Sequence, residues 1–368
     1  MGDGNQIQAN KEKSQDLGRD ESRAGQEKQV SLIDSFGRIA RKLRISLTDR
    51  CNMRCIYCMP QGNVRWFKEE DVLDFDEIIR LVSVLTGLGI NKIRLTGGEP
   101  LLRPKLEDLI ASLKMIRAIK SISMTTNGLL LADKAKQLKE AGLESVNISL
   151  DSFRAARFEA LTGMDGLEKV MDSIDAADRV GLEVKINTVI IRGWNEDEIT
   201  DFAKFARKSG HIVRFIEFMP LDGSGIWRPD LVFAKKEMIE IIEKNVGQLV
   251  PLNYASSQDK GNDMHGADPA KPYTFANSRG TIGFIPSITE PFCSSCDRMR
   301  LTSDGKLLTC LFEKPGYDIR NLLREGQSET EIKRQLIENV KKKPQGIIKI
   351  IQESNLKPSL SLMHTIGG

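Results

Sequence analysis

The chain has 368 residues, of which 40% are hydrophobic and 29% are charged, and its formal net charge is +3. This composition is typical of a globular protein rather than a disordered or fibrous one, and no apolar run reaches the roughly 18 residues that a membrane span needs. The small net charge and the scarcity of Tyr and Trp argue against nucleic acid as a partner.

The chain starts with a polar stretch, residues 1–35, that predicts a disordered tail. This stretch lacks the apolar core of a secretory signal, and its acidic residues are untypical of an organelle transit peptide. We therefore expect a cytoplasmic protein with reduced thiols, in which grouped cysteines bind metal more often than they form disulfides.

Residues 36–230 alternate strand-like and helix-like patterns at intervals of about thirty residues, which predicts parallel strands joined by helical crossovers. The strand candidates are 42–48, 92–96, 121–126, 145–150, 183–190 and 212–218. Helical spacing of apolar residues marks 78–88, 106–113, 167–177 and 199–205. The predicted fold class is α/β, a partial (β/α)6 TIM-like barrel.

The barrel pattern does not continue into residues 231–368, which predict an irregular C-terminal region with a second cysteine group. Clustered Asn, Ser, Asp, Gly and Pro predict a loop at 252–280, in which His265 is assigned no role. The basic run Lys341–Lys343 is typical of a solvated surface.

The strand candidates alternate polar and apolar side chains, so that one face of each strand is polar. In the first strand, Leu43 and Ile45 share one face and Arg44 lies on the other. An antiparallel sheet with one face in water would give the same alternation, but here the intervening helices must cover the apolar face. The polar face then points into the barrel lumen, and its basic residues indicate a bound anion.

The first cysteine group, Cys51, Cys55 and Cys58, directly follows the first strand, at the end where barrel enzymes place their active sites. Soft thiolate ligands suit zinc or an iron–sulfur cluster. Structural zinc takes four protein ligands, whereas a four-iron cluster held by three cysteines leaves one iron open for a small molecule. The spacing favours the cluster and leaves zinc as the alternative. Gly97 and Gly98, after the second strand, could let the backbone approach a ligand closely.

The second cysteine group consists of Cys293, Cys296 and Cys310, again without a fourth cysteine nearby. Half of a zinc ribbon is the alternative interpretation of its C-x2-C pair. Arg298 and Arg300, two residues apart, would face the same way from an extended segment.

The first cysteine group, with Tyr57 before its last cysteine and Gly97-Gly98-Glu99 downstream, resembles the radical S-adenosylmethionine (SAM) enzymes. From about residue 36 to the last glycine, the chain resembles one family among them, the GTP 3′,8-cyclases. The segments that carry this resemblance are DRCNMRCIYCMP, IRLTGGEPLLR, MTTNG, NISLD, VKINTV, FIEFMP, CSSCDRMRLTSDGKLLTCL and the terminal Gly367-Gly368.

The resemblance implies two [4Fe-4S] clusters together with SAM as cofactor, and it assigns residues to them. Cys51, Cys55 and Cys58 would hold the first cluster, and Cys293, Cys296 and Cys310 the second. The SAM contacts would be Tyr57, Gly98, Ser149 and Met219. The GTP contacts would be Arg44, Lys92, Arg94, Thr125, Lys185, Arg298, Met299 and Arg300. Besides the first cysteine group, the implied catalytic residues are Arg298, Arg300, Gly367 and Gly368.

The implied reaction cyclises GTP to (8S)-3′,8-cyclo-7,8-dihydroguanosine 5′-triphosphate, the first step of molybdenum cofactor biosynthesis. A 5′-deoxyadenosyl radical from SAM removes the ribose 3′ hydrogen, and the carbon radical attacks C8 of guanine. The product would pass to cyclic pyranopterin monophosphate synthase, and a reduced electron donor would supply the electrons. A homodimer is left open. The rival hypotheses are a peptide-modifying radical enzyme and a non-catalytic metal-binding or redox-sensing protein.

Overall fold

A computed structural model describes residues 31–60, 62–221, 225–252, 269–276, 280–313, 316–354 and 363–367. Most of the predicted tail, residues 1–30, lies outside these described residues, and so do His265 and Gly368. Residues 31–35 were assigned to the tail but belong to the fold. Leu32 is fully buried, and its backbone N–H donates to the carbonyl of Leu88 at 3.2 Å. The folded part therefore begins before the predicted boundary.

A sheet of twelve strands organises the described residues. Its strands are β1 (Lys42–Ser46), β2 (Lys92–Thr96), β3 (Ser121–Thr126), β4 (Ser145–Ser149), β5 (Glu183–Ile190), β6 (Ile212–Glu217), β7 (Leu249–Pro251), β8 (Lys271–Phe275), β9 (Thr281–Ile285), β10 (Arg298–Leu301), β11 (Lys306–Leu308) and β12 (Tyr317–Asp318). Their order is β12-β11-β10-β1-β2-β3-β4-β5-β6-β9-β8-β7. The run from β10 to β9 in this order is parallel throughout, and the outer pairs are antiparallel.

Helices lie between successive parallel strands, where they cover the apolar face of the sheet, and further helices follow the last strand. They are α1 (Phe75–Thr86), α2 (Leu106–Lys114), α3 (Leu131–Glu140), α4 (Ala155–Thr162), α5 (Leu167–Arg179), α6 (Ile199–Ser209), α7 (Lys235–Asn245), α8 (Arg320–Arg324), α9 (Glu329–Lys341), α10 (Ile347–Ser354) and α11 (Met363–Ile366). A capping box starts α1: the Asp74 carboxylate accepts the Glu77 N–H at 2.8 Å, and the Glu77 carboxylate accepts the Asp74 N–H at 2.9 Å. No helix in the described part of the chain is long and apolar enough to cross a bilayer.

The predicted partial barrel is confirmed, including all six strand candidates and the four helical runs. Helices α3 and α4 were not predicted. The buried residues of α3 are Leu131, Ala135 and Leu138, whose i, i+4, i+7 spacing is that of a helix and could have been recognised in the sequence. The apolar side chains of β1, such as Leu43 and Ile45, are fully buried in the core as expected.

The C-terminal region is more regular than the sequence predicts. Strand β9 pairs in parallel with β6, and β10 pairs in parallel with β1, so this region extends both edges of the six-stranded sheet. Strand β8 lies within the predicted loop 252–280, of which residues 253–268 and 277–279 are outside the described residues. The barrel wall is thus completed by strands from the second half of the chain.

Candidate functional site

One large cavity lies in the lumen of the sheet, bordered by the polar faces and carboxyl ends of the parallel strands. The three thiols of the first cysteine group line one part of it. Phe292, Arg298 and Leu311, which neighbour cysteines of the second group in sequence, line another part. The cavity therefore connects the surroundings of the two cysteine groups.

The first cysteine group is carried by a single loop after β1. The N–H groups of Cys58 and Met59 both donate to the Cys55 carbonyl at 3.0 Å, forming a tight turn between the second and third cysteine. The Cys51 Sγ accepts the Met53 N–H at 3.4 Å and the Asn127 Nδ2 at 3.7 Å. This turn keeps the thiols on the cavity wall.

Burial raises the pKa of the Cys51 thiol to about 11, and it raises the pKa values of Cys55 and Cys58 well above their usual range. Repulsion among the three thiolates adds to the effect for Cys55 and Cys58. Deprotonation of all three thiols therefore needs a cationic partner, which a thiolate-binding iron cluster supplies. The donor set fits such a cluster.

No three His, Cys, Asp or Glu side chains of the described residues converge on the position of a single metal ion. Each cysteine of an iron–sulfur cluster can bind a different iron, so its thiols need not converge in that way.

Gly97 and Gly98 both line the cavity, where the sequence predicts a close approach to a ligand, and they also allow contacts between two loops. A Cβ on Gly98 would lie 2.1 Å from the Arg50 carbonyl oxygen, and one on Gly97 would lie 2.7 Å from the Thr48 carbonyl oxygen. The Gly98 N–H donates to Thr48 at 2.6 Å. The glycines thus join the end of β2 to the loop that precedes Cys51.

Two buried carboxylates lie close to the first cysteine group. Glu99 accepts hydrogen bonds from the Thr126 Oγ1 at 2.7 Å and the Asn127 N–H at 2.8 Å, and burial raises its pKa to about 7. The Tyr57 hydroxyl donates to Asp151 at 2.5 Å, and burial raises the pKa of Asp151 to about 6. Two buried acids therefore lie beside the first group.

The second cysteine group is assembled from two separate segments. Cys293 and Cys296 lie at a short 3-10 turn in which the Cys296 N–H donates to the Cys293 carbonyl at 3.2 Å, and Cys310 follows β11. Burial is the main cause that raises the pKa of Cys310 to about 11, and electrostatic interaction with Cys296 and Cys293 adds to it. The fold therefore brings the three predicted cysteines together.

Cationic side chains face the second group. The Arg298 guanidinium lies 3.4 Å and the Lys343 Nζ 3.6 Å from the Cys296 Sγ. Although burial alone would raise the pKa of Cys296, these two cations lower it to about 6. The prediction that Lys341–Lys343 is a solvated surface is wrong for Lys343, which is 5% exposed because the chain turns inward after α9.

The predicted basic lumen is present. Arg44, Arg94, Arg298 and Arg300 line the large cavity. A smaller pocket beside it is also lined by Arg44, Arg94 and Arg298. This pocket adds Lys42 and Lys92, the first residues of β1 and β2. Burial, followed by repulsion from Arg298, lowers the pKa of Arg300 to about 9. This concentration of positive charge suits an anionic ligand.

The other predicted contacts divide into two groups. Tyr57, Thr125, Ser149 and Met219 line the large cavity with Gly98, as the assigned roles require. Two predicted GTP contacts lie elsewhere: Lys185 is buried with its Nζ 2.8 Å from the Glu183 carboxylate, and Met299 is buried in the core. Neither lines the described cavities. The Met299 side chain points away from the lumen because it alternates with Arg298 and Arg300 along β10.

Some cavity residues were not predicted as site residues. Asn187 on β5 borders the cavity, and its buried Oδ1 has no hydrogen-bond partner among the described residues. A buried unsatisfied acceptor of this kind suits a ligand donor. Arg214 on β6 also borders the cavity, between the buried Val213 and Phe215. The alternation of polar and apolar side chains along β6 could have identified Arg214 from the sequence.

The C-terminal residues enter the lumen. The Arg300 guanidinium donates to the Gly367 carbonyl, and a Cβ on Gly367 would lie 2.6 Å from the Thr96 Cγ2. His364 is buried and packs edge-on against Trp66, with 5.9 Å between ring centroids. Gly368, the last predicted catalytic residue, lies outside the described residues.

Comparisons with protein families match both halves of the chain. Residues 45–206 match the family model described as the Radical SAM superfamily, and residues 211–348 match Molybdenum Cofactor Synthesis C. The chain is 42% identical over 339 residues to the GTP 3′,8-cyclase of Thermodesulfovibrio yellowstonii, covering 92% of this chain and 100% of that relative. It is 40% identical to the mitochondrial GTP 3′,8-cyclase of Arabidopsis thaliana, covering 88% of this chain and 81% of that relative.

Among solved structures, the fold is similar to that of Streptococcus suis SuiB bound to its precursor peptide SuiA. The TM-score is 0.57 at 14% sequence identity, and the match covers 88% of this chain and 75% of that one. SuiB bound to S-adenosylmethionine matches with a TM-score of 0.55, also at 14% identity, over 79% of this chain and 67% of that one. At this identity the likeness shows the fold alone.

Proposed function

The chain belongs to the GTP 3′,8-cyclase family of radical SAM enzymes, and from this membership we propose that it converts GTP to (8S)-3′,8-cyclo-7,8-dihydroguanosine 5′-triphosphate. This reaction opens molybdenum cofactor biosynthesis. The observation that carries the proposal is the continuous basic cavity that runs from the first cysteine group to the residues beside the second. Such a cavity can hold SAM at one end and a purine nucleotide at the other.

Cys51, Cys55 and Cys58 would hold the first [4Fe-4S] cluster, and Cys293, Cys296 and Cys310 the second. When bound and reduced, the first cluster supplies the electron that cleaves SAM and so starts removal of the ribose 3′ hydrogen. The chain itself orients SAM through residues on the cavity wall near the first group. These include Tyr57, Gly98, Ser149, Asn187 and Met219.

The basic residues of the lumen would bind the triphosphate. Arg44, Arg94 and Arg298 border both the large cavity and the smaller pocket, where Lys42 and Lys92 add further positive charge. Two unit charges 4 Å apart attract by about 1 kcal/mol in water and about 4 kcal/mol in a partly screened site. Several such contacts hold a triphosphate firmly, and they fix the ribose relative to SAM. Burial of the lumen excludes water from the reacting carbons.

The C-terminal residues complete the wall of this site. Because Arg300 is engaged with the Gly367 carbonyl, the tail positions that guanidinium inside the lumen. The product, a cyclised nucleotide, would pass to cyclic pyranopterin monophosphate synthase, and a low-potential donor would reduce the clusters. A homodimer stays a prediction.

The test is anaerobic incubation of the reconstituted protein with GTP, SAM and dithionite, followed by chromatography of the nucleotides. We expect 5′-deoxyadenosine and the cyclised product to form in parallel, and omission of GTP to suppress the product. Formation of 5′-deoxyadenosine with GTP unchanged would refute the substrate assignment and favour the peptide-modifying alternative. Zinc without iron or sulfide would instead support a non-catalytic metal protein.

A further inference from the structure

Two buried cations outside the large cavity hold the C-x2-C pair of the second cysteine group. The Arg38 Nη1 donates to the Cys293 carbonyl at 2.8 Å, and the Lys343 Nζ donates to the Cys296 carbonyl at 2.9 Å. Arg38 is 8% exposed and Lys343 is 5% exposed. Each cation thus fixes the backbone of one cysteine, and Lys343 also donates to the Arg298 carbonyl at 3.1 Å.

Both cations are tied to one segment, residues 343–346, which we call the back wall. Arg38 also donates to the carbonyls of Pro344 at 2.7 Å and Gln345 at 3.0 Å. Gly346 packs so closely that a Cβ there would lie 2.7 Å from the Cβ and 2.9 Å from the Sγ of Cys293. The back wall therefore sets the position of the C-x2-C pair.

The two cations differ in their charge balance. The Arg38 Nε lies 2.5 Å from the Asp34 carboxylate, so its charge is compensated. Among the described residues, no carboxylate is within ion-pair distance of Lys343, and its Nζ lies 3.6 Å from the Cys296 Sγ. A buried ammonium group is costly unless it faces negative charge. A cluster ligated by thiolates supplies that charge.

We propose that Lys343 is a positioning residue for the second cluster. The Lys343 ammonium group raises the reduction potential of that cluster, while Arg38 anchors Cys293, the other cysteine of the C-x2-C pair. This inference rests on the proposed function, because it takes Cys293, Cys296 and Cys310 to be the ligands of the second cluster. In reduction, the cluster takes one electron from a low-potential reductant, and no bond breaks. The added negative charge is stabilised by a nearby cation, and potentials of such clusters depend on net charge and hydrogen bonding around the sulfurs.

The test uses the full chain with Cys51→Ala, Cys55→Ala and Cys58→Ala, so that only the second cluster contributes to the signal. In this background we compare Lys343→Met, Lys343→Gln and Lys343→Arg, with Lys342→Met as control because Lys342 is exposed in the same basic run. The midpoint potential is measured by dithionite titration followed by electron paramagnetic resonance, with iron and sulfide analysis of each sample.

We expect Lys343→Met to lower the equilibrium constant for one-electron reduction about tenfold, which corresponds to about 59 mV. Lys343→Gln keeps a hydrogen-bond donor for the carbonyls but has no charge, so we expect the same shift of the midpoint potential. If the Lys343→Met protein does not fold, the Lys343→Gln protein takes its place in the test. Lys343→Arg should retain most of the parent potential, and Lys342→Met all of it.

Two results would overturn the proposal, and they are distinguishable. Unchanged potentials in both neutral variants, with iron retained, would refute the role of Lys343 and leave the proposed function intact. Absence of iron from the parent with the three alanines would refute the second cluster itself, and with it both the site assignment and this inference.

Discussion

The two cysteine groups present the same three ligands in different electrostatic surroundings. The first is carried by one loop and lies near the buried carboxylates of Glu99 and Asp151, which help to raise the pKa values of its thiols. The second is assembled from distant segments and faces Arg298 and Lys343, which lower the pKa of Cys296 to about 6. The difference lies in the residues around the thiols and not in the thiols themselves.

This contrast favours different roles for the two cysteine groups. Negative charge around a cluster opposes reduction and makes the reduced form a stronger reductant, as the cleavage of a sulfonium requires. Positive charge stabilises added negative charge and suits a site that borders a triphosphate. These surroundings agree with the proposed roles, electron transfer at the first group and binding at the second.

The largest effect is expected from removing each cysteine group in turn. Replacing Cys51, Cys55 and Cys58 with Ala should reduce 5′-deoxyadenosine formation to background and leave about half the iron, because the second group is built from other segments. Replacing Cys293, Cys296 and Cys310 should leave SAM cleavage measurable but abolish the cyclised product. Loss of all iron in either variant would contradict two independent sites.

A smaller pair of changes tests the packing of each site. Gly98→Ala places a Cβ against the Arg50 carbonyl, and Gly346→Ala places one against Cys293. We expect each to destabilise its own site by about 1–3 kcal/mol or more and to lower iron retention there. Spectroscopy of the two clusters would measure this selectivity. Equal damage to both clusters from either variant would show that the sites are coupled.

The next effect concerns the basic side of the cavity. Arg300→Met removes a buried cation that lines the cavity, and a hydrogen bond to a charged group is worth about 1.5–3 kcal/mol. We therefore expect kcat/KM for GTP to fall about 10- to 100-fold, while SAM binding is retained. Arg41→Met, at an exposed position just before β1, is the control. Weakened SAM binding in Arg300→Met would argue against a separate nucleotide end of the cavity.

A further effect is the pH dependence of stability that comes from Glu99, beside the first cysteine group. Because burial raises the pKa of Glu99 from 4.5 to about 7, the folded protein binds this proton more tightly than the unfolded chain. The contribution to stability is present below pH 4.5 and is lost as the pH rises towards 7, by roughly 3 kcal/mol.

Urea unfolding of the metal-free protein at pH values across this range would measure that change. Glu99→Gln should flatten the profile, although it also weakens the hydrogen bonds to Thr126 and Asn127. The remaining slope should combine the loss from Asp151, whose pKa is raised to about 6, with an opposite gain from Cys296, whose pKa is lowered to about 6. An unaltered slope in Glu99→Gln would contradict this assignment.

The sequence predicted the lumen well because strand alternation is a local property. Arg44 and Arg94 could be assigned to the polar face from their neighbours alone, and both line the cavity. The same alternation turns the Met299 side chain into the core, so a GTP contact at this position would use its backbone. The parity rule would have separated it from Arg298 and Arg300.

Other features could not be predicted because they depend on contacts between distant segments. Lys343 is buried only because the chain after α9 packs on Cys296, and nothing in the basic run itself indicates this. The requirement for Gly98 comes from the backbone of Arg50, which only the folded loops bring close. Strands β9 and β10 are short and have no helical repeat around them, so their place in the sheet was hidden.

The position of β10 beside β1 affects how the chain can be made. Strand β1 is among the first elements to leave the ribosome, yet β10, its partner on one side, is synthesised only after β2 to β9. Until then, both β1 and β6 expose unpaired backbone groups that invite aggregation. Because long-range parallel pairing is slow, we expect the nascent chain to be prone to aggregation until β9 and β10 are made, and truncation before β9 would make that exposure permanent.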